Sequence, residues 1–228
     1  MQRFFDIFFS FFALLFLSPL LIPIILILRM TGEGEVFFLQ ERIGLDGKTF
    51  KLFKFVTMLK NSPNMGTRTV TMKNDPRILP MGKFLRKTKI NELSQLLNIF
   101  FGDMSIIGPR PLTLQTFSAY SPSTQNIVKK VKPGLSGIGS IIFRGEEDIL
   151  HGEAGTLDFY EKVIAPYKGA LEEWFVYHQG LTTYFLAIAV TVWTVLFPET
   201  TLVWKVFKDL PIPPQDLKKI LGYKSFAD

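Results

Sequence analysis

The sequence predicts a mostly helical α/β protein in which a membrane segment precedes a compact domain. Three features support this prediction: an uncharged apolar N-terminal run, strand-like alternation in the middle, and helical apolar spacing farther on. The chain has 228 residues and no internal repeat, which favours one domain with appendages. It contains no cysteine, so a disulfide framework and a thiolate metal site are excluded.

The N-terminal run Ile7–Leu28 has 22 residues without a charge, and about 20 apolar residues are enough for a membrane helix. Pro19, which follows Ser18, and Pro23 interrupt the run, and an interior proline removes a helical hydrogen bond. The part before Pro19 measures roughly 21 Å, which is less than the ~30 Å hydrocarbon core. A helix-break-helix on one membrane face and a kinked spanning helix both fit. The run is too long for a cleaved signal peptide, and no cleavage site follows.

Positive charge is concentrated directly after the apolar run. Residues 29–89 contain 13 Lys or Arg and 5 Asp or Glu, in a chain whose net charge is +6. Such a patch can face anionic lipid, a nucleotide diphosphate or nucleic acid, and its position beside a membrane segment favours the first two. Because Lys and Arg are enriched on the cytoplasmic side of membrane segments, the globular part is predicted to be cytoplasmic.

A small β-hairpin or sheet is predicted next. Val36–Leu39 is a short apolar run, and Thr49–Met58 alternates apolar and basic residues, with a hairpin-type turn at Asp46-Gly47 between them. A short basic helix follows around Met81–Lys87. Farther on, Pro133–Gly139 predicts a glycine-rich loop whose backbone N–H groups could approach a phosphate.

The stretch 86–111 combines cations with an acid at a predicted helix N-terminus. An apolar helical pattern begins at Leu93 and ends before Gly102. Asn91 stands where its side-chain oxygen could cap this helix, and Glu92 would lie in the first turn, near the positive end of the helix dipole. An enzyme that handles phosphates could use this combination, and an ordinary well-capped helix also has it.

Two further helices are predicted in the C-terminal half. One extends from about Pro166 through Trp174, and the other is Leu181–Phe197, an uncharged run of 17 residues at the lower limit for spanning a membrane. We interpret the second as an interfacial amphipathic or membrane-associated helix. The predicted domains are therefore a membrane helix (1–30), a cytoplasmic domain (31–197) and an amphipathic tail (198–228).

Common catalytic signatures are absent from the sequence. There is no Gly-x4-Gly-Lys-Ser/Thr, no Gly-x-Gly-x-x-Gly, no His-Glu-x-x-His and no Asp-x-Asp. His151 and His178 are far apart and lack metal-ligand spacing, so surface or structural roles are more typical of them.

Short motifs follow one another in a fixed order along residues 3–195. They are Arg3-x-x-Asp6, Ser18-Pro19, Phe38-x-Gln40-x-Arg42-x-Gly44-x-x-Gly47-Lys48-x-Phe50, Lys54-Phe55-x-Thr57-Met58, Asn74-Asp75-Pro76-Arg77, Leu85-Arg86-Lys87-Thr88, Glu92-Leu93-x-Gln95-Leu96, Gly102-Asp103-Met104-Ser105-Ile106-Ile107-Gly108-Pro109-Arg110-Pro111 and Lys132-Pro133-Gly134-Leu135-Ser136-Gly137. One motif alone is a weak signal, but the collinear series resembles the bacterial sugar transferase family, the monotopic phosphoglycosyl transferases.

The resemblance implies a topology and a reaction. The topology would be a re-entrant (helix-break-helix) membrane segment with Ser18 and Pro19 at its bend, and a domain on the cytoplasmic face of the bacterial inner membrane. The reaction would transfer a sugar 1-phosphate from a UDP-sugar to polyprenyl (undecaprenyl) phosphate and release UMP, as the first membrane step of glycan assembly. Membrane lipid would be a partner, nucleic acid would not, and a homodimer stays open.

The resemblance also implies site residues. The family uses Mg²⁺ and an Asp-Glu pair in which the Asp is the covalent nucleophile. Here Asn91 stands in place of that Asp, so Glu92 is the candidate Mg²⁺ ligand or attacking acid, and Asn91 would orient it. Lys54, Arg86 and Arg110 would contact phosphates.

Departures from the family pattern leave three interpretations open. Besides Asn91, Val56 replaces an Arg and Ser94 a Pro. The chain could be an active transferase that uses Glu92 in a covalent or a direct transfer. It could be a catalytically weak or silent homologue that acts as a membrane-bound partner or regulator. It could also be an unrelated single-span protein with a basic domain for nucleic acid or lipid, which the lack of interleaved exposed aromatics in residues 60–89 disfavours.

Overall fold

Two compact units make up the chain in the computed structural model, which describes residues 1–62, 75–144 and 159–223. The first unit contains Met1–Asp6, Arg42–Phe50 and Gly102–Asp228. The second unit contains Ile7–Glu41 and Lys51–Phe101. His151, Asn74 and residues 224–228 of the predicted tail lie outside the described residues.

Ten helices and four short strands are present in the described part of the chain. The helices are α1 (Gln2–Met30), α2 (Pro80–Lys87), α3 (Gln95–Phe101), α4 (Leu114–Ser118), α5 (Pro122–Val128), α6 (Ile138–Ile142), α7 (Ala165–Tyr177), α8 (Leu181–Leu196), α9 (Leu202–Val206) and α10 (Gln215–Lys218). The strands are β1 (Phe37–Ile43), β2 (Thr49–Phe55), β3 (Ser105–Ile107) and β4 (Gly134–Ser136). β1 pairs with β2, and β3 pairs with β4. The predicted mostly helical α/β class with a small sheet is confirmed.

The apolar N-terminal run forms a single helix, α1, which continues through Pro19 and Pro23. Both prolines thus lie inside one helix, and the bend at Ser18-Pro19 stays a prediction. Pro19 has no N–H for the carbonyl of Leu15, four residues earlier, but Ser18 Oγ donates to that carbonyl at 2.7 Å. A hydroxyl that replaces the missing donor is one of the ways in which membrane helices tolerate an interior proline.

The core of the second unit forms between α1, β2 and α2. Leu21, Ile24 and Leu28, on one face of α1, are buried with Phe55 and Leu85. They recur at intervals of three and four residues, as one face of a helix requires. The rest of this helix exposes large apolar side chains, such as those at positions 11, 15, 16, 22 and 26. Among the described residues, α1 is the helix that is long and apolar enough to cross a membrane.

A parallel pairing that the sequence did not predict organises the first unit. Ser105 aligns with Gly134 and Ile107 with Ser136. The N–H of Gly134 donates to the carbonyl of Pro109 at 2.7 Å, so the interpretation of 133–139 as a phosphate-binding loop is corrected at this position. Glycine is required because the strands approach closely: a Cβ on Gly134 would lie 2.1 Å from the backbone N of residue 108.

The first turn of α1 is attached to the first unit through Asp6, which is 2% exposed. Asp6 Oδ1 accepts hydrogen bonds from Ser105 Oγ (2.9 Å), the N–H of Ile106 (3.0 Å) and the Tyr184 hydroxyl (2.9 Å). Three donors on one buried carboxylate oxygen satisfy its charge without a cation. They bring the start of α1 to β3 and to α8.

Both predicted C-terminal helices are present. α7 (Ala165–Tyr177) is longer than predicted, and α8 buries one side while it exposes apolar residues such as Val192 and Leu196 on another. The chain that follows packs on α7: Trp174 Nε1 donates to Asp209 Oδ2 at 3.1 Å, and the Trp174 ring contacts Phe207 edge-on. Residues beyond 197 therefore belong to the first unit.

Candidate active site

Asn91 and Glu92 lie in a turn between two helices of the second unit. After α2, Lys89 adopts a left-handed backbone conformation with φ of 57°, and Ile90–Glu92 form a 3₁₀ turn. α3 begins only at Gln95. The predicted helix cap at Asn91 and the first-turn position of Glu92 are therefore wrong, because both residues precede α3 as part of a separate turn.

The side-chain oxygen of Asn91 is buried and has no hydrogen-bond partner among the described residues. A buried polar oxygen without a partner costs about 1–3 kcal/mol, so a donor or a cation from a ligand would be favoured there. Glu92, the next residue, is half-buried. The turn therefore places an unsatisfied amide oxygen and a carboxylate next to each other in the chain.

The oxygen atoms of these two residues suit a hard cation such as Mg²⁺. Mg²⁺ takes oxygen ligands and is commonly held by one or two carboxylates together with substrate phosphates. Glu92 offers a carboxylate, and Asn91 offers its unpartnered amide oxygen. Within residues 1–62, 75–144 and 159–223, no group of three or more acidic or histidine side chains could hold a metal, so phosphates and water would supply the remaining ligands.

Two polar side chains attach this region to strand β2. Ser94 Oγ donates to the carbonyl of Phe53 at 3.1 Å. Asn98, which is fully buried, donates to the carbonyl of Lys51 at 2.8 Å and accepts from the N–H of Phe53 at 2.9 Å. Lys54 directly follows Phe53, whose backbone is hydrogen-bonded to both side chains. The backbone next to Lys54 is therefore fixed to the chain that follows Glu92.

Arg86 lies on α2, the helix that leads into the turn. Its Nη1 is 3.8 Å from Met58 Sδ, just beyond the end of β2. One turn earlier, Gly82 packs on the backbone of Thr57, and a Cβ on Gly82 would lie 2.1 Å from the Thr57 carbonyl oxygen. The same oxygen accepts the N–H of Leu79 at 3.0 Å. The missing side chain at position 82 therefore sets how closely α2 approaches the end of β2.

Replacing Gly82 by alanine is expected to displace α2 and to lower the free energy of unfolding by about 1–3 kcal/mol, because the methyl group would overlap backbone atoms that cannot rotate away. Thermal unfolding of the purified protein measures this effect. Gly180→Ala is the matched control, since a Cβ there meets nothing within 4 Å. Equal losses in both variants would contradict the role of the close contact at Gly82.

Arg110 belongs to the first unit, and its side chain is exposed. Its backbone N–H donates to Glu172 Oε1 at 3.3 Å. Gly108, at the start of the same turn, packs on the following strand, and a Cβ there would lie 2.5 Å from the Lys132 carbonyl oxygen. The turn is therefore fixed on both sides, while the guanidinium stays accessible.

Comparison with known proteins identifies the family. The sequence profile of the bacterial sugar transferases matches residues 1–198. The chain belongs to the bacterial sugar transferase family. The match covers both units, including α1 and the turn with Asn91 and Glu92.

Curated relatives of this chain differ in length. A UDP-glucose:undecaprenyl-phosphate glucose-1-phosphate transferase of Klebsiella pneumoniae is 40% identical over 154 residues, which are 65% of this chain and 32% of the relative. The exopolysaccharide production protein ExoY of Sinorhizobium fredii is 33% identical over 171 residues, which are 69% of this chain and 74% of the relative. An undecaprenyl-phosphate galactose phosphotransferase of Salmonella typhimurium is 33% identical over 162 residues, 65% of this chain and 34% of the relative. The chain thus spans about a third of the first and third relatives.

The chain also has a polar pocket in its first unit that the sequence did not indicate. The pocket is lined by Arg110, Leu112, Tyr120, Gly139, Ser140, Phe143, Lys168 and Glu172. Lys168 and Glu172 are four residues apart on α7, a spacing that is common on exposed helix faces, yet both are buried. Burial raises the pKa of Glu172 to about 7, although the Arg110 N–H and the nearby positive charges lower it in part.

Proposed function

We propose that this chain transfers a sugar 1-phosphate from a UDP-sugar to polyprenyl phosphate and releases UMP. Membership of the sugar transferase family supports the proposal, as do relatives named for glucose or galactose phosphate transfer to undecaprenyl phosphate and for exopolysaccharide production. The structural observation that carries it is the buried, unpartnered Oδ1 of Asn91 beside Glu92, because a bound ligand would complete this group. A hexose 1-phosphate is the expected cargo.

Cations would hold the phosphates of the donor. We assign Lys54 and Arg86 in the second unit and Arg110 in the first to this role. Neutralising the diphosphate lowers the barrier to attack on the phosphorus that carries the sugar. Mg²⁺ bound by Glu92 and Asn91 Oδ1 would add positive charge and polarise the phosphate oxygens.

The transfer exchanges one P–O bond for another. An oxygen of the polyprenyl phosphate forms a bond to the sugar-bearing phosphorus, the bond from this phosphorus to the bridging oxygen breaks, and UMP leaves with that oxygen. In a direct route, Glu92 only positions the reactants and no bond to the protein forms. In a covalent route, the Glu92 carboxylate attacks this phosphorus first and releases UMP, which leaves an acyl phosphate. The lipid phosphate then attacks the same phosphorus and displaces the Glu92 carboxylate. The neutral amide of Asn91 is a poor nucleophile in either route.

We also propose that α1 is re-entrant, with the domain on the cytoplasmic face of the bacterial inner membrane. The exposed apolar side chains along α1, such as those of Phe16 and Leu26, support its placement in lipid. Pro19 and Pro23 lie inside this helix, and an interior proline is a common cause of the bend that a return to the same face requires. The exposed apolar side of α8 would lie in the interface.

A second candidate function is that of a weak or silent homologue that assists glycan assembly at the membrane. It is favoured by Asn91, which stands where the family pattern has its nucleophilic Asp. Val56 is a further departure, since this buried residue replaces a family Arg. Such a protein would keep the fold and the lipid contacts but would have lost the chemistry.

Incubation of the purified full chain with UDP-glucose or UDP-galactose, undecaprenyl phosphate and Mg²⁺ tests the proposal. We expect UMP release with transfer of the sugar phosphate to lipid, at a rate within about tenfold of that of Asn91→Asp, because Glu92 carries the chemistry. No UMP from wild type, together with clear activity in Asn91→Asp, would contradict the proposal in favour of the silent homologue. Intact-protein mass spectrometry after donor addition distinguishes the routes, since only the covalent one leaves a sugar-phosphate adduct.

A further inference from the structure

The polar pocket of the first unit contains groups that the reaction at Glu92 does not use. Glu172 is 3% exposed and Lys168 is 6% exposed. Glu172 Oε2 and Ser140 Oγ are both buried without a hydrogen-bond partner among the described residues. Since buried polar atoms are nearly always hydrogen-bonded, two unpartnered oxygens in one cavity mark a place that another molecule completes.

Packing holds the carboxylate in the pocket. Glu172 Oε1 accepts the Arg110 N–H at 3.3 Å, which fixes one oxygen and leaves the other for the cavity. Gly139 leaves room for this side chain, because a Cβ there would lie 2.6 Å from Oε1. The Lys168 ammonium lies 5.1 Å from the centre of the Phe143 ring, so its charge is held against the pocket wall. The site is therefore built before any ligand arrives.

Charge and hydrogen-bonding capacity define the class of ligand. Among the described residues that line the pocket, the exposed cation Arg110 favours a ligand with an anionic group. Inside the pocket, the Glu172 carboxylate can accept a hydrogen bond, and the Ser140 hydroxyl can donate or accept one. This combination matches a hydroxyl group of a ligand, which also donates and accepts. The exposed guanidinium of Arg110 suits a phosphate, to which arginine binds through two parallel hydrogen bonds. The combination fits a hydroxylated ring that carries a phosphate.

We propose that this pocket binds a hydroxyl group of a phosphorylated sugar ring, with Glu172 and Ser140 on the hydroxyl and Arg110 on the phosphate. The inference rests on the proposed function and deepens it, because the donor contains two such rings. One is the ribose of UMP, and the other is the hexose 1-phosphate. Both present the same chemistry, a ring hydroxyl near a phosphate.

Binding to the full chain in detergent, measured by calorimetry, tests this assignment with UMP, 2′-deoxy-UMP, glucose 1-phosphate and inorganic phosphate as probes. Ser140→Ala and Glu172→Gln are each expected to weaken the binding of one of the two sugar phosphates about tenfold. Neither substitution should change the affinity for inorganic phosphate. Weaker UMP binding identifies the ribose, and 2′-deoxy-UMP should then be insensitive to both substitutions if the 2′-hydroxyl is the group bound. Weaker glucose 1-phosphate binding identifies the hexose.

Ser118→Ala is the matched control, because this exposed hydroxyl already donates to the Gln115 carbonyl at 2.8 Å within α4. Ser140→Ala should leave the Tm without ligand unchanged or raise it, since it removes a buried hydroxyl that has no partner. If both pocket variants bind every probe like wild type, the pocket holds only water and the inference is overturned. The assay needs no turnover. A chain that releases no UMP but shows the tenfold effect would contradict the proposed function alone.

Discussion

Glu92→Gln is expected to lower the rate of UMP release by about 10²–10⁴-fold, the range typical for loss of a single catalytic acid or charged group. The glutamine keeps the size and hydrogen-bonding shape of the side chain but removes its negative charge. It can neither attack phosphorus nor neutralise Mg²⁺, so both routes proposed for Glu92 predict the same direction. The measurement is UMP release from UDP-sugar with undecaprenyl phosphate under saturating Mg²⁺.

Glu41→Gln is a control for the loss of one acid, because Glu41 is exposed on β1 of the same unit. It should retain wild-type activity. Glu92 is only half-buried and stabilises no described contact, so the Tm of Glu92→Gln should stay close to that of wild type. Residual activity above about a tenth of wild type in Glu92→Gln would contradict the assignment, since residues 88–94 contain no other acid.

Local residue patterns predicted which helices and strands form more accurately than the residues at which they begin and end. The uncharged runs and the apolar spacing correctly predicted α1, α7 and α8. A helix needs apolar residues on the sides that contact protein or lipid, and this requirement is visible in the sequence. The start of α3 was misplaced because Leu93 fits both an α-helix and the 3₁₀ turn before it. Lys89 has a left-handed backbone conformation, which favours the 3₁₀ turn over an earlier start of α3. A lysine in the sequence does not predict that conformation.

The helical structure of α1 continues through Pro19 for a reason that the residue pattern does not carry. A proline is a strong local signal, but its effect depends on whether the freed carbonyl finds another donor. The neighbouring Ser18 supplies that donor. The sequence places Ser18 in a motif, but its hydrogen bond depends on the side-chain rotamer and on the position of the Leu15 carbonyl.

The active-site turn and the pocket show where sequence reasoning stops. Asn91 and Glu92 were found because their residue types and neighbours resemble a family pattern. Lys168 and Glu172 were not, because an i, i+4 pair on a helix resembles a solvated surface pair. Only tertiary packing makes them buried, and burial converts an ordinary pair into one that has an unsatisfied oxygen.

That burial leads to a pH-dependent stability. Burial raises the pKa of Glu172 from its ordinary 4.5 to about 7. Between these pH values the folded state keeps a proton that the unfolded state releases, so folding is favoured at low pH. The contribution is complete below pH 4.5 and is lost as the pH rises through 7. The difference in pKa corresponds to about 3 kcal/mol, and we expect wild type to lose this much between pH 4.5 and 8 relative to Glu172→Gln.

Thermal unfolding of both proteins across this pH range measures the difference. At pH 5 the two Tm values should nearly coincide, and at pH 8 Glu172→Gln should unfold roughly 6–12 °C higher. Glu173→Gln, the neighbouring half-buried acid on α7, should follow wild type. Parallel pH profiles for wild type and Glu172→Gln would contradict an ionising group in the pocket. A variant that gains stability at pH 8 while it loses sugar-phosphate binding would indicate that the buried acid is kept for its ligand, since packing alone would favour the amide.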